Sequence, residues 1–242
     1  MAWKSFLFLN WAKLPPQLCQ ELRKEALARH LKTGETLFEI GDEGDGCYRL
    51  EKGALKVSLR SQQGEKRIVA LLPAGSIVGD LSMIDGKPRS AAVVALTPCD
   101  LTFFNRKTFE RFAEKYPEVY RDLVNMLADR LRDCDEAIAA WAFLPMRNRV
   151  ARALLELVEC VGESAPGGKV FLPRSIKQSD VAALAGVARE NTNRILKEWE
   201  QSGLIIKSGE NYEIDKIKLT RETEPGCPRG RESQRHVTSR AS

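Results

Sequence analysis

The sequence predicts an α+β chain: a run of short strands, then one long helix, then a small helical domain ending in a hairpin. Three observations carry that prediction. Ahead of residue 105, short β-prone runs alternate with glycine turns, the pattern of an all-β sandwich or barrel of jelly-roll-like topology. From about Pro117 to Leu144, apolar residues recur every three or four positions, as on one side of a helix. Beyond Pro145, two short helical runs meet at Gly186, and a hairpin follows. The expected division is residues 1–116, 117–144 and 145–222, with a disordered tail at 223–242.

In chain order, Pro15 and Pro16 open a short helix expected to run to about Ala28, with Leu18, Leu22 and Leu27 on one side. Strands are expected at 36–40, 47–51, 55–59, 68–72, 91–96 and 100–104. The glycines of Gly41-Asp42-Glu43-Gly44-Asp45-Gly46 match no phosphate loop and are expected to serve hairpin turns. One interval breaks the rhythm, from Val78 to Ala91. There Gly79 leads into a helical turn starting Asp80-Leu81, and a tight turn Gly86-Lys87-Pro88 delivers Arg89-Ser90 into a strand.

That arrangement can hold an anion. Backbone N–H groups at a helix start point outward, and Arg89 offers a planar fork of donors matching two phosphate oxygens. Ser90 adds a hydroxyl, and Asp80 can accept from a sugar hydroxyl. The same residues also fit a local arrangement, with Asp80 capping the turn and Arg89 paired to Asp85 or Asp80. Spacing does not separate the two.

The stretch from Gly75 to Ala95, with Gly79-Asp80-Leu81 and Gly86-Lys87-Pro88-Arg89-Ser90-Ala91, resembles the phosphate-binding cassette of bacterial cyclic-nucleotide-binding domains. Those domains are β-rolls, and a long helix after the roll is similar to the CRP/FNR superfamily of transcription regulators. The resemblance implies that Arg89 meets the cyclic phosphate, Ser90 a phosphate oxygen, and that Gly79 admits close backbone approach. Asp80 stands where nucleotide-binding members carry Glu for the ribose 2′-hydroxyl, one methylene shorter.

The long helix has Pro117 at its first position, where a missing N–H costs nothing, and Pro145 just past its end. Tyr116, Tyr120, Leu123, Leu127, Leu131, Cys134, Ile138 and Trp141 form one apolar seam with an irregular four-residue step from Leu127 to Leu131. Arg121, Asp122, Asp129, Arg132 and Asp133 oppose it. A seam of this kind packs on its own domain or on a second copy. Because this helix joins two regions of different character, a spine shared by two copies is expected.

Arg149 to Cys160 reads as an amphipathic helix, 162–168 as a loop, and Val170-Phe171-Leu172 as a strand. A helix at 176–185, a turn at Gly186-Val187-Ala188 and a helix from Arg189 to about Gln201 make a helix-turn-helix cored by Val181, Leu184, Val187, Ile195 and Leu196. Strands at 205–207 and 212–214 make a wing. Arg189, Glu190, Asn193, Arg194 and Lys197 share one polar face of the second helix. In isolation such a face is ordinary solvated surface. Within a helix-turn-helix, the first residues of the second helix reach base edges, where arginine matches guanine and glutamate accepts from cytosine. Lys197 and Gln178 are expected to hold the phosphate backbone.

The run from Gln178-Ser179-Asp180 to Lys197 again resembles the CRP/FNR superfamily, and within it the cyclic-AMP-receptor branch, whose Arg-Glu and later Arg read a GTGA-type half-site. The resemblance implies a homodimeric, allosteric transcription regulator on a palindromic site, paired through residues 117–144. Its implied partners are double-stranded DNA and RNA polymerase, and its implied effector is cyclic AMP or cyclic GMP. It further implies that Cys134 and Asp135 stand where that branch carries Thr and Ser against the nucleotide base. Alternatively, Cys134 is seam packing and Asp135 faces water. The rival regulator is a CRP/FNR-type protein with another small-molecule signal or none.

Composition narrows the classes further. Hydrophobic residues at 43% and charged residues at 29% describe an ordinary globular chain. No apolar run approaches the ~18 residues of a membrane span. Met1 to Asn10 is short and lacks a small-residue cleavage site, so Trp3, Phe6, Leu7, Phe8 and Trp11 read as an anchoring arm, and a cytoplasmic protein with no membrane partner is expected. Cys19, Cys47, Cys99, Cys134, Cys160 and Cys227 lie far apart, and His30 and His236 are the two histidines. Zinc and iron–sulfur sites need closely spaced thiolates, and a metalloenzyme on a cupin-like barrel needs clustered histidines. No metal and no enzyme activity are expected. The net charge of +5 is spread along the chain, so nucleic acid must be argued from where charges sit.

Overall fold

The computed structural model describes residues 16–173 and 175–224. The anchoring arm at the start and all but the first two residues of the expected tail lie outside them. Helix α1 (Pro16–Lys24) precedes strands β1 (Leu27–Leu31), β2 (Thr36–Phe38), β3 (Gly46–Lys52), β4 (Ala54–Arg60), β5 (Lys66–Pro73) and β6 (Ile77–Val78). Helix α2 (Asp80–Asp85), strands β7 (Ala92–Ala95) and β8 (Cys99–Asn105) and helix α3 (Arg106–Lys115) complete the roll. Two four-stranded antiparallel sheets result, ordered β1-β8-β3-β6 and β2-β7-β4-β5. They close on Leu31, Leu50, Leu55, Leu72, Val93 and Leu101, an alternating inward set typical of a sheet with one buried face.

Two expectations for this region need correction. The first helix does not reach Ala28: residues 27–31 pair antiparallel with β8, Leu27 opposite Phe103 and Leu31 opposite Cys99. Only Leu31 of that strand is buried, so no alternation marks it in the sequence. Helix α3 was not anticipated either. Asn105 caps it, its side chain accepting from the Lys107 amide at 2.8 Å, and Phe109 and Phe112 face inward.

Helix α4 (Val119–Phe143) is the long helix, and Leu144 and Pro145 leave the helical region at its end. Its apolar residues divide between two faces. Val119, Leu123 and Met126 are buried with Phe104, Phe109 and Phe112 of the roll. Val124, Leu131, Ile138 and Trp141 are exposed, as is Tyr120. The seam is therefore not the one expected: Tyr116 precedes α4 and packs on Phe112, Leu123 belongs to the roll's own core, and Val124 takes the place of Leu123. With that exchange the spacing runs 120, 124, 127, 131, 134, 138, 141, a regular alternation of four and three, and the irregular step disappears.

The remaining elements are α5 (Met146–Val161), β9 (Glu163–Ala165), β10 (Lys169–Pro173), α6 (Gln178–Ala185), α7 (Arg189–Gln201), β11 (Ile205–Ser208), β12 (Asn211–Asp215) and α8 (Lys216–Glu222). The sheet order β11-β12-β10-β9 makes the wing. Neither β9 nor α8 was expected. Gly186, at φ 64°, ends α6 in the left-handed conformation that lets the chain turn into α7. Val181, Leu184, Val187, Ile195 and Leu196 are all buried, joined by the fully enclosed Trp199. That core does not stop at the domain edge, since Ala54, Ile68, Leu71 and Leu96 of the roll belong to it.

Candidate functional site

The cassette is framed by two left-handed glycines, Gly79 at φ 82° before α2 and Gly86 at φ 71° after it. A β-carbon at Gly79 would lie 2.4 Å from Arg89 Nη1, so only glycine lets the arginine lie across this backbone. Arg89 is 4% exposed. Its Nη1 donates to the Gly79 carbonyl at 2.9 Å, its guanidinium stacks 4.4 Å from the Phe38 ring, and Nη2 stands 3.9 Å from Asp45. Its Nε is buried without a hydrogen-bond partner among the described residues. Burial pulls the Arg89 pKa down, although Tyr48 and Asp45 oppose the shift.

The 41–46 turn does more than reverse the chain. The Arg89 amide donates to the Asp42 carbonyl, and the Gly41 amide to the Arg89 carbonyl, each at 2.8 Å. The backbone of Arg89 is thereby fixed, and the side chain enters a slot between Gly44 and Gly79. Asp80 is 3% exposed. Its carboxyl is pushed up by burial and pulled back by Arg130, whose Nη1 lies 3.3 Å from Oδ2. Arg89 is thus not paired with Asp80 or Asp85; Asp45 and Arg130 take those places. Leu81 is half-buried and Ser90 exposed.

The second set of predicted residues lies on α6 and α7. Arg189, Glu190, Asn193, Arg194 and Lys197 are exposed along one side of α7, and Gln178 is exposed at the start of α6. Thr192, between them in sequence, is buried, its hydroxyl donating to the Ala188 carbonyl at 3.1 Å. An apolar and buried inner face thus sets the polar face outward, where a major groove can meet it.

Comparisons with known proteins agree with both halves. The profile of cyclic nucleotide-binding domains matches residues 28–116, and that of Crp-like helix-turn-helix domains matches residues 148–221. A cyclic AMP receptor protein from Thermus thermophilus is 31% identical over 189 residues, spanning 78% of this chain and 84% of that protein. The chain belongs to the CRP/FNR family of transcription regulators.

Another relative, the CRP-like cAMP-activated global transcriptional regulator of Mycobacterium tuberculosis, is 27% identical over 85% of this chain and 92% of its own. Among solved structures, a CRP/FNR-family regulator from Thermus thermophilus superposes with a TM-score of 0.65 at 24% identity, covering 81% of this chain and 98% of that one. The c-di-GMP-responsive regulator CLP of Xanthomonas campestris gives 0.69 at 19% identity, with coverage of 83% and 99%. These two likenesses establish the fold. In this CRP/FNR chain, no helix among the described residues is long and apolar enough to cross a membrane.

Sequence reasoning missed Arg130, Phe38 and Asp45. Arg130 reaches Asp80 from α4 across 50 residues of chain, and no local motif announces it. Its position one turn before Cys134 was the available signal. Cys134 is half-buried and Asp135 exposed, and their side chains form no hydrogen bond or ion pair among the described residues.

Proposed function

We propose that this CRP/FNR regulator binds a cyclic nucleotide in the cassette and a palindromic DNA site as a homodimer. The supporting observation is Arg89, a buried guanidinium whose Nε has no partner inside a slot lined by glycine. A buried donor left without an acceptor is costly, and an anion entering the slot would relieve that cost with charge-assisted hydrogen bonds. Gly79, Leu81 and Ser90 would line the phosphate side. Asp80, held by Arg130, would accept from the ribose. Cyclic AMP is the first choice, because one relative is a cyclic AMP receptor protein and another is cAMP-activated.

The heptad of Val124, Leu131 and Ile138 with Leu127, Cys134 and Trp141 supports pairing of two α4 helices. Burying those exposed and half-buried apolar side chains against a second copy would cover a face that the roll leaves bare. Cys134 would then be seam packing and Asp135 a flanking acceptor near the ligand's base. Arg189, Glu190 and Arg194 would read bases, with Gln178, Asn193 and Lys197 toward the backbone, in half-sites one helical turn apart or a multiple of it. RNA polymerase would be the further partner.

A second reading has its own observation. Arg89 Nη1 already serves the Gly79 carbonyl and Asp80 already pairs with Arg130, as in a regulator with no nucleotide signal. Calorimetric titration with cyclic AMP and cyclic GMP decides between them. Saturable binding of either supports the first; none up to millimolar concentration supports the second.

A further inference from the structure

The junction between the roll and the C-terminal domain carries charge that neither the cassette nor α7 uses. Strand β5 is the outermost strand of its sheet, and α5 and α6 pack against it. Arg67 extends from β5, and Arg149 from α5. A β-carbon built at Gly186 would lie 2.3 Å from Arg67 Nη1 and 3.8 Å from Arg149 Nη1, so both guanidinium groups meet over this one turn. Neither side chain pairs with a carboxylate among the described residues. Arg149 Nε is buried with no hydrogen-bond partner, and so is Glu156 Oε1.

Arg149, Arg152 and Glu156 line one cavity of about 50 Å³, walled by Ile68, Trp141 and Leu184. A single water needs only ~10–15 Å³ by this measure, so there is room for a small polyatomic ion. We propose that this junction cavity is a second anion site, separate from the cassette, that takes a small oxyanion of the phosphate or sulfate type. Arg149, on the cavity wall, supplies one of its donors, and Arg67, which meets Arg149 over the adjoining Gly186 turn, supplies a second from the rim.

Glu156 supplies the third. The Leu71 amide of β5 donates to its carboxylate, and because Oε1 has no partner, the accepting atom is Oε2. Burial, reinforced by Glu159, pushes Glu156 up to about 7. Below that pH, Oε1 carries a proton and donates into the cavity; above it, a second negative charge repels the ligand. Among the described residues, the other charged or titratable groups at this junction include Arg152 and Glu159 on α5, Lys66 on β5, Glu136 on α4, and the Cys99 and Cys160 thiols. A Lys56–Asp180 ion pair at 2.7 Å ties β4 to α6 nearby. Residues of four elements, α4, α5, α6 and β5, line the site, and a small ion that fits between them is favoured over a DNA phosphate, which α7 meets on a separate surface.

Sulfate is the probe, because its charge is constant between pH 6 and 8. The full chain carrying Arg89→Leu, which disables the cassette as an anion site, is titrated with sulfate at constant ionic strength. One sulfate per chain is expected, bound at least ~3-fold more tightly at pH 6 than at pH 8. Arg149→Gln should weaken it at least ~10-fold and Arg67→Gln at least ~3-fold. Arg67 is exposed, so its variant remains informative if Arg149→Gln does not fold. Glu156→Gln should bind sulfate with no pH dependence. Absence of sulfate binding, or binding indifferent to Arg67→Gln, overturns the site. In a parallel arm, Arg67→Gln should leave the salt dependence of DNA binding unchanged. A slope smaller by ~1 would assign Arg67 to the DNA backbone and overturn the proposal.

Discussion

Arg89 and the arginines of α7 are the same chemical group in opposite surroundings. Arg89 is 4% exposed and fixed by Gly79, Phe38 and Asp45, whereas Arg189 and Arg194 stand in solvent. A guanidinium already stripped of water suits a small ligand that can be enclosed whole, because its donors need no reorganisation when the anion arrives. An exposed guanidinium suits a long polyanion met along a surface, where released counterions provide much of the affinity. The difference teaches that burial, more than residue type, separates the two anion sites proposed for this chain.

The comparison is broken most directly at Arg89. Arg89→Leu removes charge-assisted hydrogen bonds of ~1.5–3 kcal/mol each, so cyclic nucleotide affinity should fall by at least ~10-fold by calorimetry. Undiminished affinity, with the fold intact by circular dichroism, would refute the buried site. Arg189→Ala should cost ~1–3 kcal/mol of DNA binding and relax preference at one guanine. Selection from randomised duplexes measures this, and an unaltered preferred sequence would remove Arg189 from base reading.

Smaller effects sharpen the contrast. Phe38→Leu keeps the apolar wall but removes a cation–π contact of ~0.5–2 kcal/mol, so nucleotide binding should weaken by less than in Arg89→Leu. A loss equal to that of Arg89→Leu would mean that Phe38 positions the guanidinium outright. Lys197→Ala should be the mildest, weakening all DNA sequences alike and lowering the salt slope by ~1. Sequence-selective loss in that variant would turn a backbone contact into a reading one.

Much of the cassette was legible because its parts are neighbours in the chain. Gly79, Asp80, Arg89 and Ser90 lie within one short interval, and turn chemistry is local. The partners of Arg89 and Asp80 were not legible, since Phe38, Asp45 and Arg130 arrive from separate elements brought together only by folding. The seam of α4 shows the same limit. Leu123 and Val124 are adjacent and both apolar, and only the position of Phe109 and Phe112 decides which of them turns inward. The helix-turn-helix was readable through Gly186 and the 3.6-residue period. Helix α8 was not, because it is short and only Leu219 on it is buried.

The shared core of roll and C-terminal domain bears on how freely such chains can be recombined. Ile68 and Leu71 are almost fully enclosed, in a cluster otherwise contributed largely by α5, α6 and α7. An excised C-terminal domain would place that apolar contact face in water, and a foreign roll would have to reproduce its shape as well as the pairing of Lys56 with Asp180. Heating the intact chain should therefore melt both halves in one cooperative transition. A chimera joined within residues 143–146 would gain a second, earlier transition. The linker here is a poor place to cut, and the two halves constrain each other's sequence as parts of a single folding unit.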